Sequence, residues 1–165
     1  MEAGLIIRTA DLGPEGLRIE TPLAVGLLTP EAHDPIRVSD ALVKGEILPA
    51  GGGGVIFRGR LAAMAELPCA RCLEPFRMEV AREFDLRYAP APPPGREIQI
   101  PEDEMDLGFL DPDGGLDLAQ AALEQVYLEI PMKPLCRPDC RGLCASCGVN
   151  LNNEACRCAN LHPRS

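Results

Sequence analysis

Eight cysteines constrain this chain more than anything else in its sequence. They fall as Cys69-x2-Cys72 and then as Cys136-x3-Cys140-x3-Cys144-x2-Cys147-x8-Cys156-x-Cys158. A pair separated by one to three residues brings two sulfurs within reach of one metal ion. Zinc takes thiolates at about 2.3 Å and prefers four of them in a tetrahedron. Two such sites use all eight.

The remaining composition explains why metal cross-links would help. Large side chains are scarce, with four Phe, two Tyr and no Trp, while 16 Gly and 17 Pro force much of the chain to turn or run extended. A core of Leu, Val, Ile and Ala is feasible but thin, and metal binding adds folding free energy when the site exists only in the folded state. Residues 1–12 show no basic start followed by an apolar stretch, and no segment approaches the ~20 apolar residues of a membrane span. The expectation is a cytoplasmic chain without membrane attachment, whose reduced thiols favour metal over disulfides. Net charge is −9, unevenly placed: residues 96–130 carry ten acidic side chains against one basic, residues 131–165 five basic against two acidic. Such a chain does not bind nucleic acid by overall charge. Its two ends suit a basic protein and phosphate respectively, unless the acidic run is simply solvated.

The hydrophobic pattern predicts an α+β fold. Its parts are a β-rich antiparallel body with long hairpins, one main helix, and a C-terminal Cys-rich zinc-binding tail. Short strands are expected at residues 5–7 and 16–20 and another at 41–48, with Pro22, Pro30 and Pro35 punctuating the stretch between. Residues 49–54 read as a flexible turn. Residues 55–66 resume with Val55, Phe57, Leu61 and Ala63 on one side. Over residues 76–88 the period of two is clearest, with Phe76, Met78, Val80, Phe84, Leu86 and Tyr88 facing one way. Arg82 interrupts that face and marks either a bulge or an edge. Cys69 and Cys72 thus sit at a hairpin tip. After the proline-rich spacer 89–95 and the acidic segment comes a turn over residues 111–115. Asp117 is the expected N-cap, with Gln120 completing a capping box, of a helix over 118–130 that stops at Pro131. Ala119, Ala122, Leu123, Val126, Tyr127 and Ile130 form its buried stripe, with Glu124 and Glu129 in water. The domain division expected is 1–130 for the body and 131–165 for the tail, docked on the 69–72 tip.

Leu143-Cys-Ala-Ser-Cys-Gly-Val-Asn-Leu-Asn152, followed by Cys156-Arg-Cys158, resembles a small zinc ribbon, with Gly148 permitting its turn. The pairing expected is Cys144, Cys147, Cys156 and Cys158 on one ion, and Cys69, Cys72, Cys136 and Cys140 on a second. The alternative for Cys69 and Cys72 is a reduced thiol pair without an ion. Cys140-x3-Cys144-x2-Cys147 copies an iron–sulfur spacing of radical enzymes, but Ser146 replaces the aromatic and the chain lacks room for their barrel. A thioredoxin-like role fails because the first pair sits on a hairpin instead of opening a helix. His33 and His162 have no recognisable catalytic partner, although His162 is a lesser candidate ligand. Glu102, Asp103, Glu104 and Asp106 read as solvated charge, and the glycine run 51–54 lacks the Lys and Ser/Thr of a phosphate loop. No catalytic residue and no small-molecule substrate are expected.

Pro68-Cys-Ala-Arg-Cys-Leu-Glu-Pro-Phe76, Leu128-Glu-Ile-Pro-Met-Lys-Pro-Leu-Cys136 and Cys140-Arg-Gly-Leu-Cys-Ala-Ser-Cys-Gly-Val-Asn-Leu-Asn152 occur in that order. Together they resemble the YceD-type, large ribosomal RNA subunit accumulation family of bacteria and plastids, over roughly residues 40–160. The resemblance implies a non-enzymatic role in accumulating large-subunit ribosomal RNA. The partner expected is an assembling large subunit, its RNA or a basic ribosomal protein. Arg71, Lys133, Arg137, Arg141, Arg157 and Arg164 are the candidate contacts, while zinc holds the tail in shape. The competing readings are a zinc-ribbon interaction module outside the ribosome, for example in transcription, and a redox-sensing zinc protein.

Overall fold

The computed structural model describes residues 5–25, 35–93, 95 and 107–160. His33, His162, Pro30, Arg164 and the carboxylates Glu102, Asp103, Glu104 and Asp106 lie outside the described residues. Among the described residues, strands β1 (Ile6–Arg8), β2 (Leu17–Leu23), β3 (Arg37–Val38), β4 (Ala41–Pro49), β5 (Val55–Pro68), β6 (Pro75–Ala89), β7 (Leu107–Phe109) and β8 (Gly115–Asp117) precede one α-helix, α1 (Leu118–Glu129). The main sheet runs β2-β4-β5-β6-β7, with β3 pairing β5 off this path; β1 and β8 form a separate antiparallel pair. Each of these pairings is antiparallel except β6 with β7, which is parallel.

Alternation of apolar and polar residues builds this sheet. Val43, Ile47, Phe57, Leu61, Ala65, Val80 and Phe84 are buried on one face, where Leu118, Ala119, Ala122, Leu123 and Val126 of α1 join the same core. Full burial of a Leu, Ile or Val side chain contributes about 1.5–3 kcal/mol. That packing, more than the propensity of a 12-residue helix, keeps α1 formed. Gly45 faces Gly59 across β4 and β5. A Cβ on Gly45 would lie 2.3 Å from the Arg58 carbonyl oxygen, and one on Gly59 2.5 Å from that of Lys44. The strands approach this closely only because both residues are glycine.

The β5–β6 hairpin positions the site. Its register runs unbroken from Val55↔Tyr88 to Pro68↔Pro75. Strand β4 follows β5 only as far as Ala62, and β3 meets it at Ala65 and Glu66. The hairpin therefore outruns its neighbours and carries its tip to the far end of the sheet.

Several expectations change. Arg82 pairs with Leu61 in continuous register, so there is no bulge. Among the described residues, β7 meets strand β6 only at residues 87–89 and no strand lies beside Arg82 on that side. The Arg82 guanidinium crosses to α1, donating to Gln125 Oε1 at 3.0 Å and pairing with Glu129. Glu129 is thus held by protein and does not simply face water. Gln125, absent from the expected stripe, is 5% exposed. The expected residues Tyr127 and Ile130 are only partly buried against the core. Asp117 caps the helix by accepting from the backbone N–H groups of Ala119 (2.9 Å) and Gln120 (3.1 Å). Gln120 donates forward to Glu124 at 3.0 Å instead of closing a capping box. Pro22 lies inside β2 instead of ending it; among the described residues β2 is an edge strand, where proline is tolerated. Among the described residues, no helix is long and apolar enough to cross a membrane.

Candidate metal centres

Two turns of one design present four of the eight cysteines. At the hairpin tip the Cys69 N–H donates to Glu74 O (2.9 Å) and the Leu73 N–H to Cys69 O (2.9 Å). In the tail the Cys144 N–H donates to Val149 O (2.8 Å) and the Gly148 N–H to Cys144 O (2.8 Å). Both turns close on paired backbone, Pro68 with Pro75 and Leu143 with Asn150. Both need a left-handed residue just after the second cysteine: Gly148 at φ 73°, and Leu73 at φ 62°.

The chain after α1 returns to the hairpin tip. The Ala70 N–H donates to Pro134 O at 2.8 Å, and the Arg71 guanidinium to Cys140 O at 2.9 Å. Two groups of four sulfurs result, each with all its Sγ atoms within 4.8 Å of one another: Cys69, Cys72, Cys136 and Cys140, and separately Cys144, Cys147, Cys156 and Cys158. Cys69, Cys72 and Cys140 are buried beneath Phe76, Leu135 and Leu143, with Cys136 at the exposed rim. In the tail group Cys147 is exposed and the others are half-buried.

The donor sets fit a tetrahedral ion. Four sulfurs at about 2.3 Å from one centre stand about 3.8 Å apart. Cys69 and Cys140 are 3.7 Å apart, Cys72 and Cys136 3.7 Å, and Cys147 and Cys156 3.8 Å; Cys144 and Cys156 are closer, at 3.1 Å. All eight are free cysteines, far beyond the ~2.05 Å of a disulfide. Proton affinities diverge within each group. At Cys69 burial opposes ionisation, but hydrogen bonds from backbone N–H groups of Cys136, Cys72 and Arg71 outweigh it and bring the thiol down to about 6. Cys144 is also lowered to about 6, chiefly by the Cys147 backbone N–H, then by the Cys156 thiol and the Ser146 backbone. Desolvation and contact with the other three thiols push Cys136 up to about 12. Contact with Cys144 does most to push Cys156 up to about 12. Four converging thiols resist shedding every proton together, and a dication relieves that repulsion. Two four-cysteine groups in this form can each hold a metal ion.

Asn152 and Asn150 were not among the sequence candidates. Asn152 Nδ2 donates to Cys140 Sγ at 3.3 Å, from the loop that links Cys147 to Cys156. The one visible signal is the amide-rich run Asn150-Leu-Asn-Asn153 between ligands. Of the candidate contact cations, Arg71, Lys133, Arg137, Arg141 and Arg157 are all exposed. Arg71 holds Cys140 O, and Arg137 pairs with Asp139 (3.6 Å) and donates to Asn152 Oδ1 (2.8 Å). Among the described residues, the side chains of Lys133, Arg141 and Arg157 make no ion pair or hydrogen bond.

Comparison with known proteins closes on one family. The model described as "Large ribosomal RNA subunit accumulation protein YceD" matches residues 57–164, a span that holds both sulfur groups. An uncharacterized protein of Mycobacterium tuberculosis is 34% identical over 155 residues, covering 88% of this chain and 72% of that protein. A Mycobacterium bovis protein matches to the same extent. The maize "Large ribosomal RNA subunit accumulation protein YCED homolog 1, chloroplastic" is 25% identical over 183 aligned positions, covering 92% of this chain and 56% of that protein. No solved structure matches the chain. With the family model spanning well over half its length, this chain belongs to the YceD family of large ribosomal RNA subunit accumulation proteins.

Proposed function

We propose that this chain is a non-enzymatic, cytoplasmic ribosome-biogenesis factor that supports accumulation of large-subunit (23S) ribosomal RNA. It would do so by binding an assembling large subunit or one of its basic proteins. The observation that carries this reading is the family match across residues 57–164, supported by the maize relative's name.

Zinc is the proposed ion at both four-cysteine groups, because four thiolates in a tetrahedron select it over hard cations. A site closed by four protein ligands keeps no open position for substrate, so the ion's contribution would be structural. Cys69 and Cys72 hold it from the hairpin, and Cys136 and Cys140 from the returning chain. The segment 131–165 would thereby act as a unit clamped to the 69–72 tip. Lys133, Arg141 and Arg157 leave that clamp with free cationic heads suited to phosphate. The acidic residues of 96–130 suit a basic protein.

Depletion in a host, followed by sucrose-gradient analysis, tests the reading. The expected result is a deficit of large subunits with precursor 23S RNA building up, rescued by the wild-type chain and not by a Cys69→Ser, Cys144→Ser variant. An unchanged profile under assembly-limiting conditions sinks it, and co-purification with a polymerase instead would favour an interaction module outside the ribosome.

A further inference from the structure

Asn152 stands in the loop of one sulfur group and places its side chain against a sulfur of the other. Along the chain it belongs to the tail group, between Cys147 and Cys156. In space its amide reaches the other group, donating from Nδ2 to Cys140 Sγ at 3.3 Å and to Asn150 Oδ1 at 2.8 Å. Its Oδ1 accepts from Arg137 Nη2 and from the Arg141 backbone N–H, both at 2.8 Å. A side-chain amide offers two N–H groups and two acceptor lone pairs, and here all four are used. The reverse orientation would aim the NH2 group at two donors and the oxygen at an acceptor, so the network fixes which atom meets the sulfur. The loop is held on both sides of Asn152: the Leu151 N–H donates to Gly142 O at 2.9 Å, and Asn153 Nδ2 to Glu74 Oε1 at 3.3 Å.

A donor aimed at a ligand sulfur orients that ligand, and losing such a partner commonly weakens metal affinity about 10–100-fold. Here the donor sits on the loop that must also close around the second ion. We propose that Asn152 is a positioning residue that couples the two centres. Its N–H seats Cys140 for the hairpin-tip ion, and its fixed place in the 147–156 loop carries that order to Cys147 and Cys156. The two ions then bind cooperatively, each tightening the other by about tenfold or more, equally from either side. This inference rests on the metal-binding reading above.

Native mass spectrometry of the full chain, titrated with Zn2+ against a competing chelator, tests it by the abundance of chains holding none, one and two ions. The wild type is expected to pass from none to two with the one-ion form always minor. Asn152→Asp keeps both accepting contacts and loses both donated ones. It should fill through a dominant one-ion form, and 113Cd loaded into the hairpin-tip centre should resonate at a changed shift. Asn152→Ala should behave alike; if it does not fold, Asn152→Asp decides. Two ions bound with no cooperativity in the wild type overturns the coupling while leaving the metal reading intact. So does undiminished cooperativity in Asn152→Asp. No uptake at all overturns the metal reading, and the coupling with it.

Discussion

Leu73 does at the hairpin tip what Gly148 does in the tail, with the same hydrogen bonds around it but with a side chain that resists the left-handed region. The backbone of an L-residue there costs about 1–2 kcal/mol relative to more ordinary conformations, and glycine avoids most of that. Leu73 is 64% exposed, so little packing offsets the strain. Leu73→Gly should raise stability by about 1 kcal/mol, and Gly148→Leu should lower it by a similar amount. Urea unfolding at saturating metal measures both, and an unchanged midpoint in both variants contradicts the turn geometry. The eight sulfurs were legible at this scale because ligand spacing is local. Leu73 was not, since a left-handed leucine leaves no mark in sequence. Nor was Asn152, whose contact with Cys140 depends on how two loops meet.

At the scale of elements, α1 is tied to β6 by Arg82 as well as by apolar packing. Removing this guanidinium leaves the buried Gln125 amide oxygen without its donor, which costs about 1–3 kcal/mol. Arg82→Ala should fall in that range. Glu129→Gln, which removes only a partly exposed ion pair, should stay within about 1 kcal/mol. Asp117→Ala should cost about 1 kcal/mol through the lost cap. Thermal unfolding of the three variants gives the order, and equal effects of Arg82→Ala and Glu129→Gln contradict the assignment to Gln125. The long hairpin and the helix were readable from their periods of 2 and 3.6. Strands β7 and β8 were not, because three residues carry no period and the parallel partner of β6 lies across a chain crossing. The destination of Arg82 was equally hidden: the sequence marks a break in an apolar face, and only the packed helix supplies Gln125.

For the whole molecule, metal and fold are expected to depend on one another at one end of the sheet and not at the other. The apolar layer between sheet and α1 contains no cysteine among the described residues. The hairpin tip and the returning chain meet in a small cluster of Cys69, Cys72 and Cys140 with a few partly buried neighbours. Chelation should therefore expose residues 131–158 to protease while the sheet persists. Simultaneous loss of both contradicts that division. Acid should do the same, and the sign is set by the thiols. Cys136 and Cys156, each pushed up to about 12, keep their protons at neutral pH until metal displaces them. Cys72 and Cys158 are raised as well, so near neutral pH binding releases at least two protons per ion, and the apparent affinity falls about a hundredfold or more for each unit the pH drops. Affinity independent of pH between about 6 and 8 (measured by chelator competition) contradicts thiolate ligation. Beyond these, the most direct single measurement is the metal content of this chain, freshly purified and reduced. Two zinc ions per chain is the predicted result, both lost in the eight-cysteine-to-serine variant; a chain that carries no metal, yet keeps its tail docked against the hairpin tip, would contradict it.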